Sequence, residues 1–243
     1  MSDHEVAARL ATEAGKLLLD VRAELADASQ DERKAAGDKC SHDFLIAALA
    51  AERPDDAVLS EEGADDPIRL SAERVWIVDP LDGTREFSES GRDDWAVHVA
   101  LWEDGELVAG AVALPAQGIT LATPTVGAPG SAPATPRVVV SRTRPPAVAL
   151  AVRDALDGVL VEMGSAGAKV ASVVQGLSDV YVHAGGQYEW DSAAPVAVAR
   201  AAGLHTSRID GSPLVYNRRD PKLPDLVVCR PELAEAVLEV TRA

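Results

Sequence analysis

Trp76-Ile77-Val78-Asp79-Pro80-Leu81-Asp82-Gly83-Thr84 decides how this chain is read. Val75 to Val78 is a short, fully apolar run, the mark of a buried strand. The run ends abruptly on Asp79, so the strand delivers a carboxylate at its C-terminal end. Pro80 fixes φ and has no amide hydrogen, so the ladder is expected to stop there. Asp82-Gly83-Thr84 is turn and helix-start chemistry. Gly83 lets a ligand approach the backbone, and the Gly83 and Thr84 amides suit a phosphate if a helix begins there. Asp79 and Asp82 stand three residues apart and can project into one small volume. Left unpaired they repel, and one takes up a proton. A hard divalent cation removes the conflict, and oxygen-only ligation points to Mg²⁺ rather than Zn²⁺. The same string also reads as a solvated acidic turn.

Two further stretches repeat the pattern. Val58-Leu59-Ser60 is another apolar run, and Glu61-Glu62 ends it 18 residues before Asp79. Alone it reads as an exposed acidic loop. Trp190-Asp191-Ser192 places Asp191 at the mouth of a helix expected over 192–202, where it fits an N-cap and a metal ligand equally. Pro195 is then expected in the first helical turn, where a missing N–H costs little.

Around these lie two differently built halves. Residues 3–27 carry apolar residues at helical spacing. A second helix is expected from an N-cap at Ser41 to Pro54. Strands follow at 58–60, 75–78, 96–102, 107–114 and 119–123, with a hairpin at Glu103-Asp104-Gly105. Residues 123–136, TPTVGAPGSAPATP, form a connector without periodicity. Beyond it strands at 138–140, 159–161, 180–182 and 226–229 alternate with helices at 147–156, 166–177, 192–202 and 232–241, an α/β layered pattern. The expected division is 1–125 and 126–243.

Composition narrows the function. Of 243 residues, 23 are Lys or Arg and 39 Asp or Glu, a net charge of −16. That balance argues against a nucleic-acid polymer or an anionic membrane as partner. The chain has no run of 18 apolar residues to span a bilayer. Residues 1–5 lack the basic and apolar regions of a signal peptide, so a cytoplasmic protein is expected. Cys40 and Cys229 are expected as reduced thiols.

Taken together, Glu61-Glu62, Asp79-Pro80-Leu81-Asp82-Gly83-Thr84 and Trp190-Asp191-Ser192-Ala193-Ala194 resemble the signature of the lithium-sensitive, Mg²⁺-dependent phosphomonoesterases of the inositol monophosphatase superfamily. Thr84-Arg85-Glu86-Phe87 and Gly164-Ser165-Ala166-Gly167-Ala168-Lys169 resemble the branch of bisphosphate nucleotidases. The resemblance implies a layered α-β-α-β-α sandwich and a homodimer. It implies a sulfur-assimilation phosphomonoesterase that removes the 3′-phosphate of 3′-phosphoadenosine 5′-phosphate and its sulfated form. Inositol monophosphatase or fructose-1,6-bisphosphatase activity is the alternative.

Carried over residue by residue, the resemblance implies that Glu61, Asp79 and the Leu81 carbonyl hold one Mg²⁺. Asp79, Asp82 and Asp191 hold a second. Thr84 with Glu61 orients the attacking water, and the Gly83 and Thr84 amides steady the phosphoryl group. A third ion depends on whether Asp38 or Asp43 replaces the family's usual aspartate. Substrate-side candidates are Ser165, Lys169, Glu189 and Arg219, with Lys34 and Tyr188 behind them. By analogy Glu189 meets a sugar hydroxyl, and a basic residue must answer the uncleaved phosphate. Lys34, Lys169 and Arg219 equally suit ordinary surface charges. His98 and Trp95 read as core or rim.

Overall fold

Ser2 starts the first helix, α1 (Asp3–Glu24). Its Oγ accepts the Glu5 amide while the Glu5 carboxylate accepts the Ser2 amide at 2.7 Å, a closed capping box. The structure, a computed structural model, describes residues 1–243. The second helix, α2 (Gln30–Glu52), is capped the same way by Ser29 and Glu32. It therefore starts well before the expected cap at Ser41. The sequence hides this because the inward face of its first half is not apolar. Gly37 lies against the Phe87 and Leu81 side chains, where a Cβ would come within 2.7 Å of Phe87. Ser41 is buried inside the helix and donates to the Pro80 carbonyl at 2.6 Å.

The first sheet holds β1 (Ala57–Ser60), β2 (Arg74–Asp82), β3 (Ala96–Glu103), β4 (Glu106–Leu114) and β5 (Ile119–Ala122), in that order. β1 runs parallel to β2 and the other pairs are antiparallel. The hairpin turn is Asp104-Gly105, both at positive φ (48° and 91°), as a type I′ turn requires. β2 does not end at Pro80. Its pairing with β3 skips Pro80 and Leu81 and resumes at Asp82, opposite Ala96. The donor that proline lacks is absorbed by a bulge, a device that re-aims side chains beside functional sites. A short helix, α3 (Thr84–Ser88), follows at once.

The second sheet comprises β6 (Arg137–Ser141), β7 (Val159–Met163), β8 (Val180–Ala184), β9 (His205–Ser207) and β10 (Asp225–Cys229), in the order β7-β6-β8-β10-β9. The edge strand β9 has only three residues, too few for a pattern in sequence. The second-half helices are α4 (Ala147–Ala155), α5 (Ala166–Val174), α6 (Glu189–Ala201) and α7 (Ala234–Thr241). α6 starts three residues before the expected position, so Asp191 lies inside the first turn and not at the cap. Pro195 then falls in the helix interior, where it removes the N–H that would have bonded the Asp191 carbonyl.

Five layers result. α1 and α2 cover one face of the first sheet. α5 and α6 lie between the two sheets, and α4 and α7 close the far side. The middle layer makes one continuous apolar core that runs from Ile77 and Ala100 through Val170 and Ala193 to Val228. Gly110 lets α6 sit directly on β4, since a Cβ there would fall 2.6 Å from that of Ala197. This is the expected α-β-α-β-α sandwich. Its geometry sets the tip of β2 against the N-termini of α5 and α6.

Candidate active site

Asp79, Asp82 and Asp191 converge where those elements meet. Each offers an oxygen within 4.8 Å of the others. Asp79 is buried, and its Oδ1 accepts the Leu81 amide at 3.0 Å across the bulge. Asp191 accepts the Tyr188 amide at 2.7 Å, which ties it to the start of α6. Glu61 follows β1, the parallel neighbour of β2, and its amide donates to the Val78 carbonyl at 3.4 Å. It stands outside the aspartate trio and as a residue stays exposed, yet its carboxyl is crowded on the side of Asp79 and Asp191.

The charges show what the cluster wants. Burial, then Glu61, Asp82 and Asp191, push the Asp79 carboxyl well above the usual range. Burial and the Asp82 charge raise Asp191 to about 6. Burial on its inner side and the Asp191 charge raise Glu61 to about 7. Asp82 goes the other way. Burial acts to raise it, but His98, Ser165 and the Gly167 amide outweigh burial and hold it at about 2. Hard oxygen donors with unrelieved repulsion at neutral pH fit a divalent cation, and this donor set can hold one.

Thr84 sits at the rim. Its hydroxyl donates to the Leu81 carbonyl at 3.1 Å and lies 3.4 Å from Asp38 Oδ1. Burial and Glu62 raise Asp38 to about 6. Asp43 is an exposed partner of Lys39 at 2.6 Å, so Asp38 is the aspartate of α2 that reaches the site. Gly83 needs its freedom: φ is 84°, and an added Cβ would meet Ser165 Cβ at 3.0 Å.

Asp82 also links the halves. It accepts Ser165 Oγ at 2.5 Å and the Ala166 and Gly167 amides at 3.2 and 2.6 Å, so an acid of the first sheet caps α5 of the second half. Ser165 holds φ at 40° and also accepts the Ala168 amide at 2.9 Å. His98, expected in the core or at the rim, reaches Asp82 from β3. It is fully buried, with Nδ1 3.0 Å from the Trp190 carbonyl. Its Nε2 is 3.3 Å from Asp82 Oδ2, within ion-pair range but without hydrogen-bond alignment. A polar ring inside the apolar run from Trp95 to Leu101 was the available signal.

The remaining candidates part company. Lys169 is buried, donates to the Gly164 and Ser165 carbonyls at 2.8 and 2.6 Å, and is pushed below the usual lysine range by burial. Glu189 does not present itself for a sugar hydroxyl. It is fully buried, and its two oxygens accept the Asn217 and Arg218 amides at 2.7 and 2.8 Å. Arg69, also buried, grips the same turn through Asn217 Oδ1 and the Arg218 carbonyl, both at 2.9 Å. Arg69 and Glu189 thus clamp the turn between the segment after Glu61 and the helix bearing Asp191, a pair that nothing in the sequence joins. Arg219 is exposed and outside the site cavity. Lys34 pairs with Asp31 at 3.2 Å, and Tyr188 stacks on Trp190 at 4.7 Å. The cavity beside the trio measures about 490 Å³, with Asp82, Asp191, Ser165, Lys169, Arg144 and His183 in its wall.

A sequence model of the inositol monophosphatase family matches residues 2–242. The 3′-phosphoadenosine 5′-phosphate phosphatase of Mycobacterium tuberculosis is 55% identical over 93% of this chain and 88% of its own. The 3′(2′),5′-bisphosphate nucleotidase CysQ of Escherichia coli is 32% identical over 76% and 80%. Among solved structures, inositol monophosphatase II of Staphylococcus aureus aligns with a TM-score of 0.83 at 21% identity, covering 98% of this chain and 92% of that one. CysQ of Bacteroides thetaiotaomicron aligns with a TM-score of 0.76 at 28% identity, covering 93% and 96%. No helix is long and apolar enough to cross a membrane. The sequence signature, the layered fold and the convergent acids agree: this chain belongs to the inositol monophosphatase family.

Proposed function

We propose that this protein hydrolyses the 3′-phosphate of 3′-phosphoadenosine 5′-phosphate, and of its sulfated form, in a Mg²⁺-dependent reaction of sulfur assimilation. The observation that carries the reading is the trio of Asp79, Asp82 and Asp191, two of which, Asp82 and Asp191, line a cavity of about 490 Å³. The names of the mycobacterial and enterobacterial relatives support the choice of nucleotide.

Glu61, Asp79 and the Leu81 carbonyl would hold one Mg²⁺, and Asp79, Asp82 and Asp191 a second, with Asp38 the support for any third. Bound Mg²⁺ supplies Lewis acidity and a lowered pKa for water. The protein's part is placement. Thr84, held between the Leu81 carbonyl and Asp38, orients the water whose oxygen attacks phosphorus as the bond to the 3′-oxygen breaks. Of the water's two hydrogens, one ends on the leaving 3′-oxygen and the other on the phosphate released. α3 is one turn long, so it offers the phosphoryl group two amides, those of Gly83 and Thr84, and little macrodipole. His98 and α5 keep Asp82 charged and fixed.

The same reading includes 1–125 and 126–243 as the two halves around the site, each with one sheet. It includes a homodimer and inhibition by Li⁺, which the resemblance supports, and a cytoplasmic setting, which the residues at 1–5 and two cysteines expected as reduced thiols support. The test is phosphate release with Mg²⁺ from 3′-phosphoadenosine 5′-phosphate, inositol 1-phosphate and fructose 1,6-bisphosphate in parallel. A kcat/KM favouring the nucleotide roughly a hundredfold, about 2.7 kcal/mol of transition-state discrimination, is expected. Equal rates would replace it with a broad phosphomonoesterase.

A further inference from the structure

The substrate proposed above carries two phosphates, and only one meets the acidic trio. A cation must answer the other. Lys169 has two of its three hydrogens committed to the Gly164 and Ser165 carbonyls. Arg219 is outside the cavity.

Arg144 meets the need. It lines the cavity, is exposed, and its guanidinium makes no hydrogen bond or ion pair. In a chain with 39 acids against 23 Lys and Arg, a cavity arginine without an acid is informative. Its neighbour Arg142 shows the contrast, with bonds of 2.8 Å to both Glu86 and Glu89. Those bonds anchor one end of the 142–146 segment to the first half. Pro145 and Pro146 stiffen the other end, where Pro146 caps α4. The Arg144 amide donates to Ser141 Oγ at 3.4 Å, and that hydroxyl also lines the cavity with its own proton unspent. Arg144 is therefore displayed from an ordered segment, and a planar guanidinium matches a phosphate two bonds at a time.

We propose that Arg144, assisted by the Ser141 hydroxyl, binds the uncleaved phosphate of a nucleoside 3′,5′-bisphosphate and so determines the preference for bisphosphates over monophosphates. This rests on the nucleotidase reading. The test compares kcat/KM for adenosine 3′,5′-bisphosphate and adenosine 3′-monophosphate, with Mg²⁺, in the parent protein, Arg144→Lys and Arg144→Ala. The parent should prefer the bisphosphate by roughly a hundredfold, and Arg144→Ala should cut that ratio at least ~10-fold, mostly through KM. Arg144→Lys should fall between, since an ammonium keeps the charge and loses the fork. Inhibition by adenosine 5′-monophosphate should weaken in the same order. A bisphosphate ratio within about twofold of the parent's in a folded Arg144→Ala protein overturns the role of Arg144 alone. A parent without the preference overturns that role too, and if it also favours inositol 1-phosphate over the bisphosphate the nucleotidase reading fails with it.

Discussion

Gly167 and His98 touch so closely that a Cβ on Gly167 would fall 1.9 Å from the imidazole Nε2. That nitrogen is the one facing Asp82, and the Gly167 amide bonds the same carboxylate at 2.6 Å. Two groups, from β3 and α5, are thus locked around one acid of β2. Gly167→Ala should displace His98 and shift Asp82. We expect a loss of about 1–3 kcal/mol in stability from overpacking and a fall of at least ~100-fold in kcat. Thermal melts and single-turnover assays on the same preparation check both.

The raised acids predict how the metal-free protein answers pH. Asp191 and Glu61 have folded values of about 6 and 7, above their ordinary 3.8 and 4.5, and Asp79 is raised as well. The folded state then binds more protons than the unfolded state between those values, so stability falls as pH rises from about 4 to 7. Asp82 contributes the opposite sign, but its contribution is lost only as pH falls through about 2. Mg²⁺ relieves the repulsion, and at saturation it should raise Tm by about 5–10 °C at pH 8 and much less at pH 5. Calorimetry with and without chelator measures the difference, and equal shifts at both pH values would remove the repulsion argument.

Asp79→Asn follows from the same crowding. The neutral amide removes one charge from the buried cluster, so the metal-free variant should melt higher than the parent at pH 8. Turnover should fall by at least ~10³. Asp82→Asn should also abolish turnover, but it loses the anion that caps α5, so its Tm should fall. Opposite signs of the two Tm changes are the outcome to look for.

Glu189→Gln separates a structural carboxylate from one that reads substrate. Both oxygens of Glu189 accept amides, and the glutamine can satisfy only one of the two. About 1–3 kcal/mol of stability should be lost, with kcat reduced through the loosened turn and similar effects on every phosphate substrate. A KM defect confined to sugar-bearing substrates would return Glu189 to the substrate side.

Much of the fold was legible because its elements are apolar. The runs Val75–Val78 and Val138–Val140 and the stripe of α1 announce themselves without neighbours. The acids were legible as well, since apolar runs that end abruptly in Asp79 and Glu61 and an acid, Asp191, beside a helix start are local features. Tertiary structure decided what those residues are worth. α2 begins at Ser29 because Gly37 and Ser41 pack on Leu81, Phe87 and Pro80, contacts between distant segments that carry no periodicity. β2 passes Pro80 because Ala96 waits for Asp82 on the neighbouring strand. Asp82 is held low while the Asp79 carboxyl beside it is pushed up, because the start of α5 donates only to Asp82, and His98, 3.3 Å from Asp82, is 3.9 Å from Asp79. Four acids and their order were written in the sequence. Which of them is an anion depends on the dipoles and charges that folding brings within about 3 Å, and that information lies in no single segment.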